Sequence, residues 1–463
     1  MRKMVSHLTG HHLRNGVQTM DKQASKYRTR HAISAAIAAG VLLVVNVVGG
    51  TAATAFYKSP HTQALSGTLT VWDWQYASPT WGKALKAVDS AFIAAHPGVI
   101  INHVAQPQSN YYQLFQTANA AQSGPDVLML HAGTFGVLNY IKSLEPLNKY
   151  ITPALRGKIS GWESVSANFD PRGTAYAVPG SRSGWVFYYN KALFAQAGLN
   201  PAKPPLTYSQ LIADAAKLNA AGITPFGGGN ADGYGALMWL NELFPSEFNI
   251  AESRQLAQGK IKYTGTKFVD LNNKIISLLK EPNVSQGWQS TPLWTDSVAQ
   301  FNAGKQAIFA GIASDTLSYR EFTKGLGAKN VGVFYSPGIT GTKGNYIPIS
   351  SGPVWAMTKY AKNKALAWSY INFISGKQGG KIQWDLAGIL PINKNVTLDK
   401  GALPQATQMI SDFNKGNTFL YVSSLMRQTV VNEWMKQIAT VISGQQSLES
   451  ALAKVQAAQD APF

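Results

Sequence analysis

Two short segments set aromatic and polar side chains where a ligand could be met. Asp73-Trp74-Gln75-Tyr76 directly follows the apolar run 69–72, and His131 and Thr134 follow Val127–Leu130. Both runs read as strands, and in open α/β sheets ligands lie beyond the carboxyl ends of strands. Trp74 is expected to offer a stacking face and Gln75 a hydrogen-bonding amide, while Trp72 packs in a core. His131 is expected to hydrogen-bond a ligand, with Thr134 beside it. Other chemistries are poorly supplied. The chain has no cysteine, which removes disulfides, thiol catalysis, thiolate metal sites and a lipidated amino-terminal Cys. All eight histidines lie at or before His131, and neither His96 nor His103 has a helical partner at i+4, so a zinc site or His-based triad is not expected. No metal or cofactor is expected.

The elements that must position these residues alternate short apolar runs with helical patterns, the signature of an α/β architecture. Residues 69–72 form a first strand. Trp81, Leu85, Val88 and Phe92 share one helical face, and His96-Pro97-Gly98 stops that helix. A second strand is expected at 99–104, a helix at 112–121 and a buried strand at Val127–Leu130. Thr207-Tyr208-Ser209-Gln210 has the spacing of a capping box. Residues 365–374 and 431–441 read as late helices.

Ordered pieces of the chain then carry a resemblance. Gly173-Thr174-Ala175-Tyr176-Ala177-Val178-Pro179 is followed by Tyr189-Asn190-Lys191-Ala192-Leu193-Phe194 and Ala197-Gly198-Leu199. Ser123-Gly124-Pro125-Asp126-Val127, Phe301-Asn302-Ala303-Gly304-Lys305-Gln306-Ala307, Gly352-Pro353-Val354-Trp355-Ala356-Met357 and Ile442-Ser443-Gly444 fit the same order. With these pieces the chain resembles the substrate-binding proteins of carbohydrate ABC importers, the group that includes maltose-binding protein, from Gly67 to about Ala457.

The resemblance implies a two-lobe periplasmic-binding-protein fold with a hinge and an interlobe cleft. Lobe 1 would comprise 67–180 plus about 332–374, and lobe 2 about 185–331 plus 375–463. Crossings are expected near 180–184, near 330–333 and around Ser375. The implied ligand is a mono- or oligosaccharide, whose faces need aromatic platforms and whose hydroxyl rim needs polar groups. Arg182 and Trp185, at the first crossing, are expected contacts. In Gly227-Gly228-Gly229-Asn230-Ala231-Asp232-Gly233-Tyr234, Asp232 would supply a carboxylate and Tyr234 a stacking ring. Those glycines lack the Lys-Ser/Thr ending of a phosphate loop. Gly352 and Trp355 are expected at the cleft, Trp355 having the alternative of a core strand residue. Gly311 and Asp315 are weaker candidates, and core packing is expected for Trp288, Trp294 and Trp384.

Residues 32–55 carry no charge and end in Ala53-Thr54-Ala55, after a flank (1–31) with seven Lys/Arg and one Asp. Basic flank, apolar run and A-x-A ending describe a secretory signal. The run is also long enough to remain as a membrane anchor, so both outcomes stay open; 56–66 reads as a linker. The net charge is +18, yet no basic block with interleaved aromatics suggests nucleic acid. The expected function is a non-enzymatic, monomeric, extracytoplasmic receptor delivering its ligand to ABC permease subunits. Two alternatives are weighed beside it. An extracellular glycoside hydrolase would need a carboxylate pair that no strand-end motif displays, and a membrane-anchored sugar sensor would signal to a partner.

Overall fold

A computed structural model describes residues 65–313, 319–338, 346–399, 403–415 and 417–462. The basic flank, the apolar run, most of the linker and Asp315 lie outside the described residues. Among the described residues no helix is long and apolar enough to cross a membrane.

The first sheet begins with β1 (Ser66–Asp73), whose Leu69 and Val71 point inward at 0 % exposure. Helix α1 (Trp81–Ala95) buries Trp81, Leu85, Val88 and Phe92 along one stripe. Each such side chain contributes roughly 1.5–3 kcal/mol by leaving water. β2 (Gly98–Ala105) pairs parallel with β1, and after α2 (Tyr111–Ala120), β3 (Val127–Leu130) pairs parallel on its other side. β4 (Ala177–Pro179) ends the first run of this lobe. The fifth strand, β10 (Val354–Met357), arrives from far along the chain and lies antiparallel between β3 and β4, giving the order β2-β1-β3-β10-β4.

The second sheet is built around β5 (Arg182–Asn190), buried along nearly its whole length. Helix α3 (Tyr208–Ala220) opens on the capping box: Gln210 N donates to Thr207 Oγ1 and Thr207 N to Gln210 Oε1, each at 3.2 Å. β6 (Thr224–Gly227) leads into α4 (Tyr234–Leu243). β7 (Gln306–Ile312), β8 (Val331–Phe334) and β9 (Tyr346–Ser351) all run antiparallel to β5, while β11 (Asn417–Leu420) extends β9 in parallel. Two separate apolar cores result, one on each sheet.

The crossings differ from expectation at two places. β8 and β9 belong to the second sheet, so the chain returns to the first lobe between Ser351 and Val354, not near 330–333. Helices α5 (Lys364–Ile374) and α6 (Lys377–Ala387) both stay with the first lobe, α6 packing on α1. The third crossing therefore follows α6 near 388–393 and not at Ser375. There Ser181 bridges to Pro391, and Arg182 N donates to Leu390 O at 2.9 Å. The three passages are stitched together: Gly180 N donates to Pro353 O and Gly352 N to Ser181 O. Sequence periodicity could not fix these points, because strands buried on both faces carry no alternation to assign them to one sheet.

Candidate ligand-binding site

The first lobe's contribution starts at the end of β1. Asp73 turns its Oδ1 back to accept the amides of Gln75 and Tyr76, both at 2.5 Å, which curls the chain and lifts Trp74 off the strand end. The half-buried Trp74 indole stacks on the His131 imidazole, centroids 4.6 Å apart and 15° from parallel, with the Tyr111 ring edge-on at 4.9 Å. His131 leaves the end of β3. Its main-chain N–H donates to the Tyr112 hydroxyl at 3.1 Å, and its Nδ1 lies 2.6 Å from the same oxygen. The phenol either donates to Nδ1 or accepts from it, according to which ring nitrogen carries the proton, and Nε2 bonds nothing among the described residues. Burial pulls the His131 pKa down to about 4, so the ring is neutral at ordinary pH.

Across from it stands the start of α4. Gly233 takes the left-handed conformation (φ 79°) that turns β6's loop into the helix, and Asp232 Oδ1 accepts Tyr234 N at 3.1 Å. The rest of the Asp232 carboxylate is exposed. Tyr234 is half-buried, 6.3 Å from the Trp294 ring. Burial raises the Tyr112 phenol pKa far above its ordinary value, and Tyr234 of the other lobe adds a little to the rise. Tyr421, just past β11, likewise raises Tyr234 and meets the Trp185 indole edge-on at 5.8 Å. Trp185 is 8 % exposed, and its indole N–H is buried with no acceptor among the described residues. A buried donor left without a partner costs about 1–3 kcal/mol, and a ligand oxygen would remove that cost.

Of the expected residues, Trp74 and Gln75 follow β1 and His131 follows β3, whereas Asp232 precedes α4, Tyr234 opens it and Trp185 lies within β5. Four others have different work. Thr134 donates its hydroxyl to second-lobe backbone, 2.6 Å from Leu425 O and 2.7 Å from Met426 O, because the lobes touch there. Arg182 is 4 % exposed; its Nε and Nη1 are spent on Pro391 O and Asn414 Oδ1, so it ties crossings together. Gly352's amide is consumed by Ser181 O, as the close pairing of the crossings requires. Trp355 is 1 % exposed inside the first core, paired in β10 with Met129 and Val178. Gly311 is also interior to its sheet, its α-carbon facing the Tyr188 ring.

Sequence reasoning missed Tyr112, Phe135, Trp294 and Tyr421. The rule used for Trp74 finds one of them, since Tyr421 directly follows β11, whereas Tyr112 lies in the first turn of α2. Phe135 packs from the first lobe against the second lobe's core while standing edge-on to His131 at 4.9 Å. For Phe135 and Trp294 the chain offers no local signal. The large hollow of about 770 Å³ lined by Phe248, Ile250, Lys267, Tyr346 and Phe419 lies wholly on the second lobe. A smaller one of about 270 Å³ joins Glu163 of the first lobe to Arg254 and Leu425 of the second. None of the ten expected residues lines either, and neither gathers stacking rings from both lobes, which is why the aromatic cluster is the stronger site.

A family model described as bacterial extracellular solute-binding protein matches residues 76–381. The chain is 24% identical over 328 residues to a binding protein of Brucella abortus (strain 2308), covering 69% of this chain and 75% of that one. It is 26% identical over 356 residues to the sn-glycerol-3-phosphate-binding periplasmic protein UgpB of Salmonella paratyphi A (strain ATCC 9150 / SARB42), covering 71% and 75%. Among solved structures, a chitin oligosaccharide binding protein superposes with a TM-score of 0.73 at 21% identity, over 85% of this chain and 98% of that one. Maltose-bound MalE3 of T. maritima superposes with a TM-score of 0.69 at 20% identity, over 85% and 98%. These likenesses establish the two-lobe α/β binding-protein fold, and the family places the body of the protein outside the cytoplasm. With the family pattern running from the loop after β1 through both lobes into α6, the chain belongs to the bacterial extracellular solute-binding proteins.

Proposed function

We propose that this protein captures an uncharged mono- or oligosaccharide between its lobes and hands it to the membrane permease of an ABC importer. The observation that carries the reading is the cluster of rings and hydrogen-bond donors contributed by both sides: Trp74, Tyr112 and His131 from one, Trp185, Tyr234 and Tyr421 from the other. Flat rings suit the C–H faces of a sugar, and Nε2 of His131, the indole N–H of Trp185 and the exposed oxygens of Asp232 suit its hydroxyl rim. The named side chains include one carboxylate and no cation, which favours a neutral ligand over a phosphate such as that of the glycerol-phosphate relative. The similar chitin-oligosaccharide and maltose receptors support the same class.

Binding is the whole act: a ligand that touches both lobes raises the population of the state in which they meet, and no bond is made or broken. Gln75 completes the first-lobe rim. The protein acts as a monomer without nucleic acid, and residues 32–55 export it, either as a cleaved signal or as a retained anchor; having no Cys, it is not a lipoprotein. A thermal-shift screen of the body, from about residue 60, against neutral sugars, polyols and glycerol phosphates tests the reading, because a native-state ligand raises the melting temperature by mass action. At least one neutral saccharide is expected to shift the curve. A response confined to phosphorylated ligands, or to none, refutes the substrate class.

A further inference from the structure

His103 is used by none of the chemistry above, yet both its ring nitrogens are held by carboxylates of the first lobe. It projects from β2 with its side chain 1 % exposed. Nε2 lies 2.5 Å from Asp73 Oδ2 and Nδ1 2.8 Å from Asp89 Oδ2. Two ionised carboxylates only accept, so both ring nitrogens donate and the ring is an imidazolium. The Tyr76 ring covers one face of it, 3.9 Å away and 21° from parallel, and the Tyr370 hydroxyl donates to the other oxygen of Asp89 at 2.6 Å. The arrangement therefore spans β1, α1, β2 and α5. Its outer end is the carboxylate whose Oδ1 caps Gln75 and Tyr76 and so sets where Trp74 stands.

We propose that His103 is a positioning residue for the ligand loop: clamped between Asp73 and Asp89, its imidazolium holds Asp73 in the orientation that presents Trp74 and Gln75 to the ligand. The inference rests on the saccharide reading for its ligand but not for its geometry. Without the cation, Asp73 and Asp89 face each other with like charge in a buried place, and the cheapest relief is for Asp73 to swing outward and release the two amides. The groups facing the ring are Asp73, Asp89 and Tyr76, with Tyr111 and Tyr370 near the carboxylates and Lys86 over the Tyr76 ring. Despite burial, which opposes the charge, the two carboxylates lift the His103 pKa to about 9.

The test compares His103→Gln with wild type in two ways, since glutamine can bridge one carboxylate but carries no charge. Amide hydrogen exchange of the ligand-free proteins at about pH 7 is expected to be about tenfold or more faster at Gln75 and Tyr76, with Val127–Leu130 keeping wild-type protection. The Kd for the saccharide found in the screen is expected to rise by about tenfold or more. Unchanged exchange at Gln75 and Tyr76 overturns the proposal, as does faster exchange with a Kd within about twofold of wild type. If no saccharide binds wild type, the ligand class has failed and exchange alone decides the positioning role. If the variant does not fold, wild-type Kd against pH decides: it is expected to hold to about pH 8 and rise through about pH 9, where the ring loses its proton, and a flat profile to about pH 10 overturns the proposal.

Discussion

Thr134 Oγ1 of the first lobe lies 2.6 Å from the Leu425 carbonyl oxygen of the second, a bond that exists only while the lobes are together. Beside it Gly133 sits at φ +68°, and a Cβ there would stand 1.9 Å from Ser424 O. Both residues face the Ser424–Met426 backbone of the second lobe, so both are expected to act on closure. Thr134→Val keeps shape and removes the hydroxyl; at about 0.5–1.5 kcal/mol per net hydrogen bond, affinity should fall about 2- to 10-fold. The loss should appear in the dissociation rate, measured by stopped-flow fluorescence. Gly133→Ala should block the approach of Ser424 and weaken binding further, while scattering shows a larger radius of gyration in saturating ligand. Unchanged affinity in both variants would remove the contact from the closing mechanism.

Three tryptophans separate site from core. Trp74→Ala and Trp185→Ala should each weaken saccharide binding by about tenfold or more, with a small change in melting temperature for Trp74, which is only half-buried. Trp355→Ala should do the reverse. Emptying a buried indole site costs about 3–5 kcal/mol, and the melting temperature should drop by several degrees. Isothermal titration beside calorimetric melting distinguishes the patterns. A stable Trp355→Ala protein that has lost only its ligand would return that residue to the cleft.

Two histidines should shape stability against pH in opposite directions. The folded-state pKa of His131 is lowered to about 4, so between about pH 4 and 6.5 the unfolded chain binds the extra proton and stability climbs with pH. For His103, raised to about 9, stability is complete below the unfolded value of about 6.5 and is lost as pH rises through 9. The two contributions together are greatest near about pH 6.5. His131→Phe should flatten the acid limb and His103→Gln the alkaline one. Limbs that survive both substitutions would assign the pH dependence to other groups.

Glu242 in α4 is fully buried, and neither carboxyl oxygen has a hydrogen-bond partner among the described residues. Burial drives its pKa well above the ordinary carboxylate value, so the folded protein must hold it neutral while the unfolded chain ionises it. Glu242→Leu should accordingly raise the melting temperature by about 2–4 °C or more near pH 7. The gain should grow as pH rises above the ordinary carboxylate range, where only the unfolded chain ionises, by the same linkage. A destabilised Leu variant would indicate a partner for that carboxyl in the working protein.

The chain by itself determined the alternation of strands and helices, and with it the loops that could meet a ligand. Residues 69–72 and Val127–Leu130 read as strands because they are short and apolar, and the Thr207 capping box because its side chains satisfy their own backbone. Trp74 and His131 were legible because a strand end is a local property, and the family was legible from ordered pieces over both lobes. What only the tertiary structure decided are relations between distant segments. Trp355 is core because β10 is covered on both faces, so alternation along it says nothing about orientation. His103 meets Asp73 because β1 and β2 pair in the register Val71↔His103, which no local pattern specifies. Thr134 became a closing contact and Arg182 a tie between crossings because partners about 290 and 209–232 residues away fold onto them. Hydrogen bonds of that span are chosen by the packing of whole lobes, and local propensity has no term for them.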